Sequence, residues 1–396
     1  MNAALTVLGA IAAFFVAVPL LIFVTEMLAG LRGLSSEVPR GPLPATVVLM
    51  PAHDEAAGIG AAIAALSGAR VQGVELLVVA DNCRDDTAAI ARAAGCRVAE
   101  RCDPTRRGKG YALAFGRDAL AADPPACVII LDADCTVEGG GIQLLARTCV
   151  ASGAAVQSSY LFRSVPTGTG AVSNFAFLVK NLVRQQGMAR LGGVAALTGT
   201  GMAIPWADFA AAPLASDDLV EDLALGIWLT RRARPPRFAA AATTWSDAVA
   251  GADLMAQRRR WEHGFVATAR RRALPLLAEG VWRRSRGMAW LGLHLLVPPL
   301  ALLVAAGAAA LLLTVALAVL GGSWLVPALL ALLLGLAGGA VVAAWARYGR
   351  EQIGARALLG IPAYVIGKLP MYRSLAGKGP AEWQRTRRAG EDRRPS

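Results

Sequence analysis

The sequence predicts an α/β domain, a sheet with helices on both faces, carried between apolar helices at the two ends of the chain. Three observations lead there. Short apolar strand-like runs alternate with alanine-rich helix-like stretches from Ala45 to about Val150; acidic residues cluster where those runs end; and long apolar stretches lie near the start and after Arg286. Such alternation builds a parallel sheet, whose ligands sit beyond the carboxyl ends of its strands.

The bulk composition bounds the class. A chain of 396 residues that is 55% hydrophobic, with a mean hydropathy of +0.48, is too apolar for an ordinary soluble protein and long enough for one large domain plus membrane segments. Its net charge of +12 is almost wholly arginine, since Lys109, Lys180, Lys368 and Lys378 are its only lysines. Arg283, Arg284, Arg286, Arg347 and Arg350 flank apolar spans, which fits cytoplasmic membrane flanks and anionic headgroups. No recognised nucleic-acid-binding pattern accompanies the charge, so a nucleic-acid partner is not expected. The six cysteines form no CxxC pair and His53, His263 and His294 are scattered, which argues against structural zinc and for reduced thiols in a cytosolic domain.

The elements follow in order. Ala4–Val24 is an apolar run long enough to cross a bilayer. No Lys or Arg precedes it and it exceeds the core of a cleaved signal, so residues 1–30 are expected to be an anchor helix. Arg32 and Arg40 then place the next segment in the cytoplasm. Strands are expected at Thr46–Met50, Leu76–Ala80 and Cys127–Leu131, each ending in a polar or acidic cluster. Ala154–Phe162 and Ala195–Ile204 also read as strands; Phe175–Met188, Asp217–Thr230 and Leu254–Arg271 read as helices, and the whole segment 45–280 as one domain. Pro298-Pro299 should break the apolar run that starts near Met288. That leaves a hairpin within 287–346, with spans Leu300–Leu320 and Trp324–Ala346 about the Gly321-Gly322-Ser323 turn. Within 347–396, Ala357–Ile366 is too short to span and reads as interfacial, and the basic tail through Trp383–Arg393 should lie near the inner membrane face.

Several residue groups carry chemistry. Asp132-Ala133-Asp134 follows an apolar strand, and alternation in extended chain puts both carboxylates on one side, where they can address one Mg2+ or Mn2+. Asp81-Asn82 ends the preceding strand, and Asp81 is placed to bond a base or ribose, while Asp86 and Thr87 read as an ordinary helix cap. Pro51 to Glu55 would form the opposite wall. In Arg106-Arg107-Gly108-Lys109-Gly110 the glycines would let Lys109 approach a phosphate closely, although a solvated loop accounts for the stretch equally well. Asp217 and Asp218 read as carboxylates at a helix N-terminus, whereas Glu221 and Asp222 are expected further along the helix, where a neighbouring like charge raises a carboxyl pKa as a general base requires. In Gln257–Trp261, positions 257, 260 and 261 share a helical surface: Arg260 offers planar donors to a diphosphate and Trp261 a flat face for a sugar ring. Arg258 and Arg259 are expected to face the membrane. Thr198-Gly199-Thr200-Gly201 offers close backbone approach to an acceptor, or merely a turn.

Taken together, Asp81, Asp132/Asp134, Glu221-Asp222 and Gln257–Trp261 resemble the membrane-embedded family 2 glycosyltransferases, the group of cellulose, chitin and hyaluronan synthases and their non-processive relatives. The likeness covers about Ala45 to Gly264. It implies a GT-A, Rossmann-like nucleotide-sugar fold and inversion at the anomeric carbon. On the matching positions it implies that Asp222 is the catalytic base beside Glu221. Glu55, Asp81, Lys109, Asp132, Gln257 and Arg260 would hold the UDP-sugar, Asp132 and Asp134 the metal, and Trp261, Gly199 and Thr200 the acceptor. Asp54-Glu55 stands where the family often has Asn-Glu, and Val220 where the base motif often begins with Thr; either departure would bear on donor fit. About three spans are few for a polymer channel, so the expectation is transfer to a membrane lipid or lipid-linked acceptor at a bacterial-type inner membrane. The rivals are a processive polysaccharide synthase, a polyprenyl-phosphate sugar synthase and a non-catalytic scaffold.

Overall fold

A computed structural model describes residues 2–34, 39–68, 73–163, 168–216, 220–247 and 251–373. The described residues of Leu34–Arg163 and Gly193–Phe265 form one compact unit, and those of Met1–Gly33, Ser164–Gly192 and Val266–Pro380 form another.

The first unit holds the sheet. Among the described residues it has eight strands: β1 (Thr46–Ala52), β2 (Val74–Asp81), β3 (Arg97–Arg101), β4 (Cys127–Ile130), β5 (Cys135–Val137), β6 (Val156–Phe162), β7 (Met202–Pro205) and β8 (Arg237–Ser246). Their order is β3-β2-β1-β4-β7-β6-β8-β5. From β3 to β4 all pairings are parallel, as the β–α alternation predicts. Central β1 is buried along nearly its whole length, which is why it reads as an unbroken apolar run. One face of β1 and β2 (Val47, Leu49, Leu77, Val79) packs with Leu113, Leu120, Phe209, Leu225 and Leu229 in a single core.

Beyond β4 the sheet is mixed: β7 is antiparallel to β4 and β6, and β5 to β8, while β6 and β8 are parallel. Of the expected strand Ala195–Ile204 only the last three residues pair, within β7 (Met202–Pro205); the glycine loop of the site precedes them. The helix expected from Asp217 runs Glu221–Arg231, which puts Glu221 and Asp222 in its first turn rather than further in. Asp217 and Asp218 lie outside the described residues.

In the second unit, Asn2 caps the helix Ala3–Gly30 by accepting the N–H groups of Ala4 (3.0 Å) and Leu5 (3.3 Å). Ala3–Gly30, Leu300–Val319 and Leu325–Gly349 are, among the described residues, the three helices long and apolar enough to cross a membrane. Pro298-Pro299 falls between the helices Arg286–Leu295 and Leu300–Val319, as the missing N–H groups dictate. The helical stretch Gly168–Gly192 carries a wide turn at Val179–Arg184.

A Cβ on Gly187 would stand 2.1 Å from the Glu26 carbonyl oxygen, and one on Gly30 1.9 Å from that of Val183, so these glycines permit backbone contact with the first helix. Beside them Glu26 is wholly buried; its carboxylate accepts from Arg184 Nε (2.7 Å), His294 Nδ1 (2.9 Å) and Trp290 Nε1 (3.2 Å). The expected interfacial segment forms the helices Ala355–Leu358 and Ile361–Arg373, with Leu359 and Ile366 exposed. The tail beyond Arg373, with Trp383–Arg393, lies outside the described residues.

Candidate functional site

The site grows from the carboxyl ends of the parallel strands. Pairing of β2 with β3 sets Asp81 opposite Arg101. Arg101 Nη1 donates to Asp81 Oδ1 at 2.6 Å and Nη2 to Asp103 at 3.1 Å, while the guanidinium lies 5.5 Å from the centre of the Tyr111 ring. Burial raises the Asp81 carboxyl pKa, against the opposing pull of Arg101. The loop after β1 meets this corner as its facing wall: His53 Nδ1 lies 2.7 Å from the Asp81 carbonyl oxygen, and the Glu55 N–H donates to Thr87 Oγ1 at 2.8 Å. Asp85, rather than Asp86, caps the helix Thr87–Ala93, accepting the Thr87 N–H at 3.1 Å.

One strand further along, β4 ends and Asp132 and Asp134 emerge, both half-buried. Lys109, first residue of the helix Lys109–Leu120, pairs its ammonium with Asp132 Oδ1 and donates to the Gly199 carbonyl at 2.8 Å. Burial alone would depress that ammonium's pKa, but Asp132, Glu221 and Asp222 prevail and raise it. The Asp132 N–H donates to Thr200 Oγ1 at 3.0 Å. Gly199, at φ +88°, brings Asp222 to the same place: a Cβ there would stand 3.4 Å from Asp222 Oδ2 and 3.7 Å from Lys109 Nζ. Burial first, and then the Asp222 charge, push the Glu221 carboxyl up to about 8. Burial lowers the Arg260 pKa, and Glu221 lies near enough to oppose this once it is ionised.

Asp132, Asp134 and Cys135 present ligand atoms within 4.8 Å of one another. Two carboxylates from one strand end are hard oxygen donors of the kind Mg2+ and Mn2+ take. The Cys135 thiol differs: burial and then Asp134 hold its pKa well above the ordinary value, and it donates to Asp134 Oδ1 at 3.3 Å as a protonated group. The fit is therefore to an oxygen-bound divalent cation on Asp132 and Asp134.

Gln257–Trp261 divides differently from its expected division. Gln257 is buried, and its Oε1 has no hydrogen-bond partner among the described residues. Arg259 is exposed, but Arg258 is buried with its guanidinium 4.8 Å from the Phe162 ring centre and 5.3 Å from that of Trp261, so it packs inside this unit instead of facing a membrane. Trp261 stacks on Phe162 at 6.4 Å. Two residues earlier on β6, Tyr160 is close enough for Asp134 and Asp132 to add to the burial and Cys135 that raise its hydroxyl pKa.

The structure thus gathers Lys109, Asp132, Gly199, Thr200, Glu221 and Asp222 directly, and Arg260 through Glu221. Asp81 and Glu55 line the adjoining corner. Arg101, Tyr111 and Phe162 are contributors that sequence reasoning missed. Phe162, at the end of an expected strand, was in principle readable; Arg101 sits on a short charged edge strand that carries no periodic signal.

Comparison with known proteins follows this geometry. Residues 44–264 match the family model described as glycosyltransferase like family 2. Among solved structures, the mannosyltransferase PcManGT from Pyrobaculum calidifontis, determined with GDP-Man and Mn2+, is similar over 94% of this chain and 98% of its own, with 18% identity and a TM-score of 0.57. Glucosyl-3-phosphoglycerate synthase from Mycobacterium tuberculosis, determined with Mn2+, UDP and glucosyl-3-phosphoglycerate, matches 59% of this chain and 84% of its own, with 22% identity and a TM-score of 0.41. No curated protein matches the chain.

Proposed function

This chain belongs to glycosyltransferase-like family 2 and has a Rossmann-like GT-A sheet, and from that premise we propose that it moves a hexose from a UDP-sugar to a membrane lipid or lipid-linked saccharide, with inversion at the anomeric carbon. The observation that carries the reading is the convergence of Asp222, Lys109 and Gly199 beside Asp132.

Asp222 is the general base. Its Oδ1 already accepts the Leu223 N–H at 2.7 Å, and Oδ2 stands beside Gly199, from which side we place the acceptor hydroxyl. Glu221, neutral below about pH 8, leaves Asp222 as the charged carboxylate of the pair. As the hydroxyl oxygen bonds to the anomeric carbon, its proton passes to Asp222 and the bond from that carbon to the diphosphate breaks. Arg260 donates to the departing diphosphate, and Gln257 stands one helical turn before it on the same helix. Lys109 can exchange its bond to Asp132 for a phosphate oxygen. Asp132 and Asp134 would hold Mg2+ or Mn2+, which supplies positive charge against the leaving diphosphate. Asp81, fixed by Arg101, takes the base or ribose, and Trp261, backed by Phe162, gives the acceptor sugar a flat surface.

The membrane acceptor is supported by the three apolar helices and by the end of the helix Gly251–Trp282. There Leu274, Ala278, Val281 and Trp282 form one exposed apolar stripe at helical spacing, flanked by exposed Arg271, Arg272, Arg283 and Arg284. An apolar face edged with arginine lies naturally in an anionic headgroup layer.

The test is a donor panel. Purified full-length chain with Mn2+, a set of UDP-sugars and GDP-mannose should release UDP from one UDP-sugar, and faster once lipid extract is added. Turnover of GDP-mannose alone would overturn the donor, and release indifferent to lipid would overturn the acceptor.

A further inference from the structure

Gln157 lies on β6 with no exposed surface, and both its amide oxygen and its amide nitrogen bond the loop carrying Gly199. Its Oε1 accepts the Thr198 N–H at 2.9 Å; its Nε2 donates to the Thr200 carbonyl at 3.0 Å and to the Ser158 carbonyl at 3.0 Å. The loop passes this restraint on. Thr200 Oγ1 accepts the Asp132 N–H, and the Gly199 carbonyl accepts from Lys109. A single neutral amide is therefore one bond from the loop, and the loop is one bond from the Asp132 backbone N–H and, through Lys109, two from its carboxylate.

We propose that Gln157 is a positioning residue for glycosyl transfer: it fixes Thr198–Gly201 so that Gly199 stays in place beside Asp222 Oδ2. This rests on the catalytic reading above. The chemistry requires an amide. Acceptor and donor must be presented a few ångströms apart by one uncharged group, and each must meet a backbone group of opposite character. Methionine has the length but would leave the Thr198 N–H and the Thr200 carbonyl without their partner. Glutamate keeps the acceptor, but as a carboxylate it sets a second anionic oxygen against the Ser158 and Thr200 carbonyls. Protonated, it regains one donor.

That difference makes the role testable through pH. Full-length wild type, Gln157→Glu and Gln157→Met are compared for turnover between pH 5.5 and 8.5, for UDP binding by calorimetry and for thermal unfolding. Gln157→Glu should approach wild-type turnover at the acid end and fall at least tenfold below it at the alkaline end, with UDP affinity held within twofold. Gln157→Met should lose turnover at every pH with UDP affinity equally retained, and it carries the test alone should Gln157→Glu not fold at neutral pH. A Gln157→Glu profile parallel to wild type, or loss of UDP binding in step with turnover in Gln157→Met, overturns the positioning role and leaves the transfer reading standing. Absence of turnover in wild type with every donor removes both.

Discussion

Two glycines in one short loop serve different ends, and only their surroundings separate them. At Gly201 (φ +62°) a Cβ would lie 2.1 Å from Ser158 Oγ and 2.2 Å from Thr244 Oγ1; at Gly199 (φ +88°) it would meet nothing nearer than the 3.4 Å to Asp222. Gly201→Ala should therefore combine left-handed backbone strain with overpacking and cost about 3 kcal/mol of stability. Gly199→Ala should cost only about 1 kcal/mol in strain, while its methyl group, standing where the acceptor must come, cuts turnover by roughly a hundredfold. Thermal unfolding and nucleotide release on the same preparations check the pair. From sequence the loop could be read only as close approach to an acceptor or as a turn, and spacing alone does not separate the two glycines. Glu221 offers a second check. Its carboxyl is raised to about 8, so between the ordinary value near 4.5 and about 8 the folded protein binds more protons than the unfolded chain. Stability from this group is then greatest at low pH and declines as pH rises through that window. Glu221→Gln, which never ionises, should gain in unfolding midpoint over wild type from pH 5 to pH 8 in metal-free buffer; a constant difference would disprove the shift.

At the scale of elements, legibility followed periodicity. β1, β4 and the buried end of β2 were readable because burial on both faces makes them unbroken apolar runs; β6 is as deeply buried but carries Gln157, Ser158 and Ser159 between apolar ends; and the two prolines marked a helix break. β8 was not readable: Arg237–Ser246 is largely alanine and threonine, with no alternation to set it apart from a helix. β5 is only three residues long. The helix Gly251–Trp282 was recognised, but three consecutive arginines on it could not be sorted by spacing, which is how Arg258 came to be assigned to a membrane face. Glu26 passed unnoticed because one carboxylate in a long apolar run reads as a tolerated exception. In the fold it joins three segments far apart in sequence, through Arg184, His294 and Trp290. Glu26→Ala would leave the Arg184 guanidinium buried with its carboxylate partner removed, a change that costs about 3–5 kcal/mol. Glu26→Gln keeps an acceptor for Arg184 and should cost visibly less. Thermal unfolding of the detergent-solubilised chain ranks the two, and equal midpoints would show that the charge pair contributes little.

For the whole molecule, the sequence conveys chemistry better than grouping. The carboxylates at strand ends stand out in the sequence because apolar runs stop at them, and the structure brings Asp132 and Asp222 together around Lys109. That residues 168–192 group with the apolar helices rather than with the sheet has no compositional mark, since the stretch reads as helix like those of the domain. The charge of +12 is more informative once exposure is known. Arg271, Arg272 and Arg284 are all exposed around the stripe ending at Trp282, itself 81% exposed. Near an anionic surface each arginine is worth about 1 kcal/mol, so the three together supply about 3 kcal/mol toward seating that helix face in the headgroup layer. The full chain reconstituted in vesicles containing phosphatidylglycerol should therefore turn over faster than in pure phosphatidylcholine, and raising salt should narrow the gap because the attraction is screened. Replacing Arg271, Arg272 and Arg284 together by glutamine should abolish the lipid dependence while leaving turnover in phosphatidylcholine unchanged, because none of the three belongs to the site. Equal rates of the wild type in both vesicles would show that the arginines serve solubility alone.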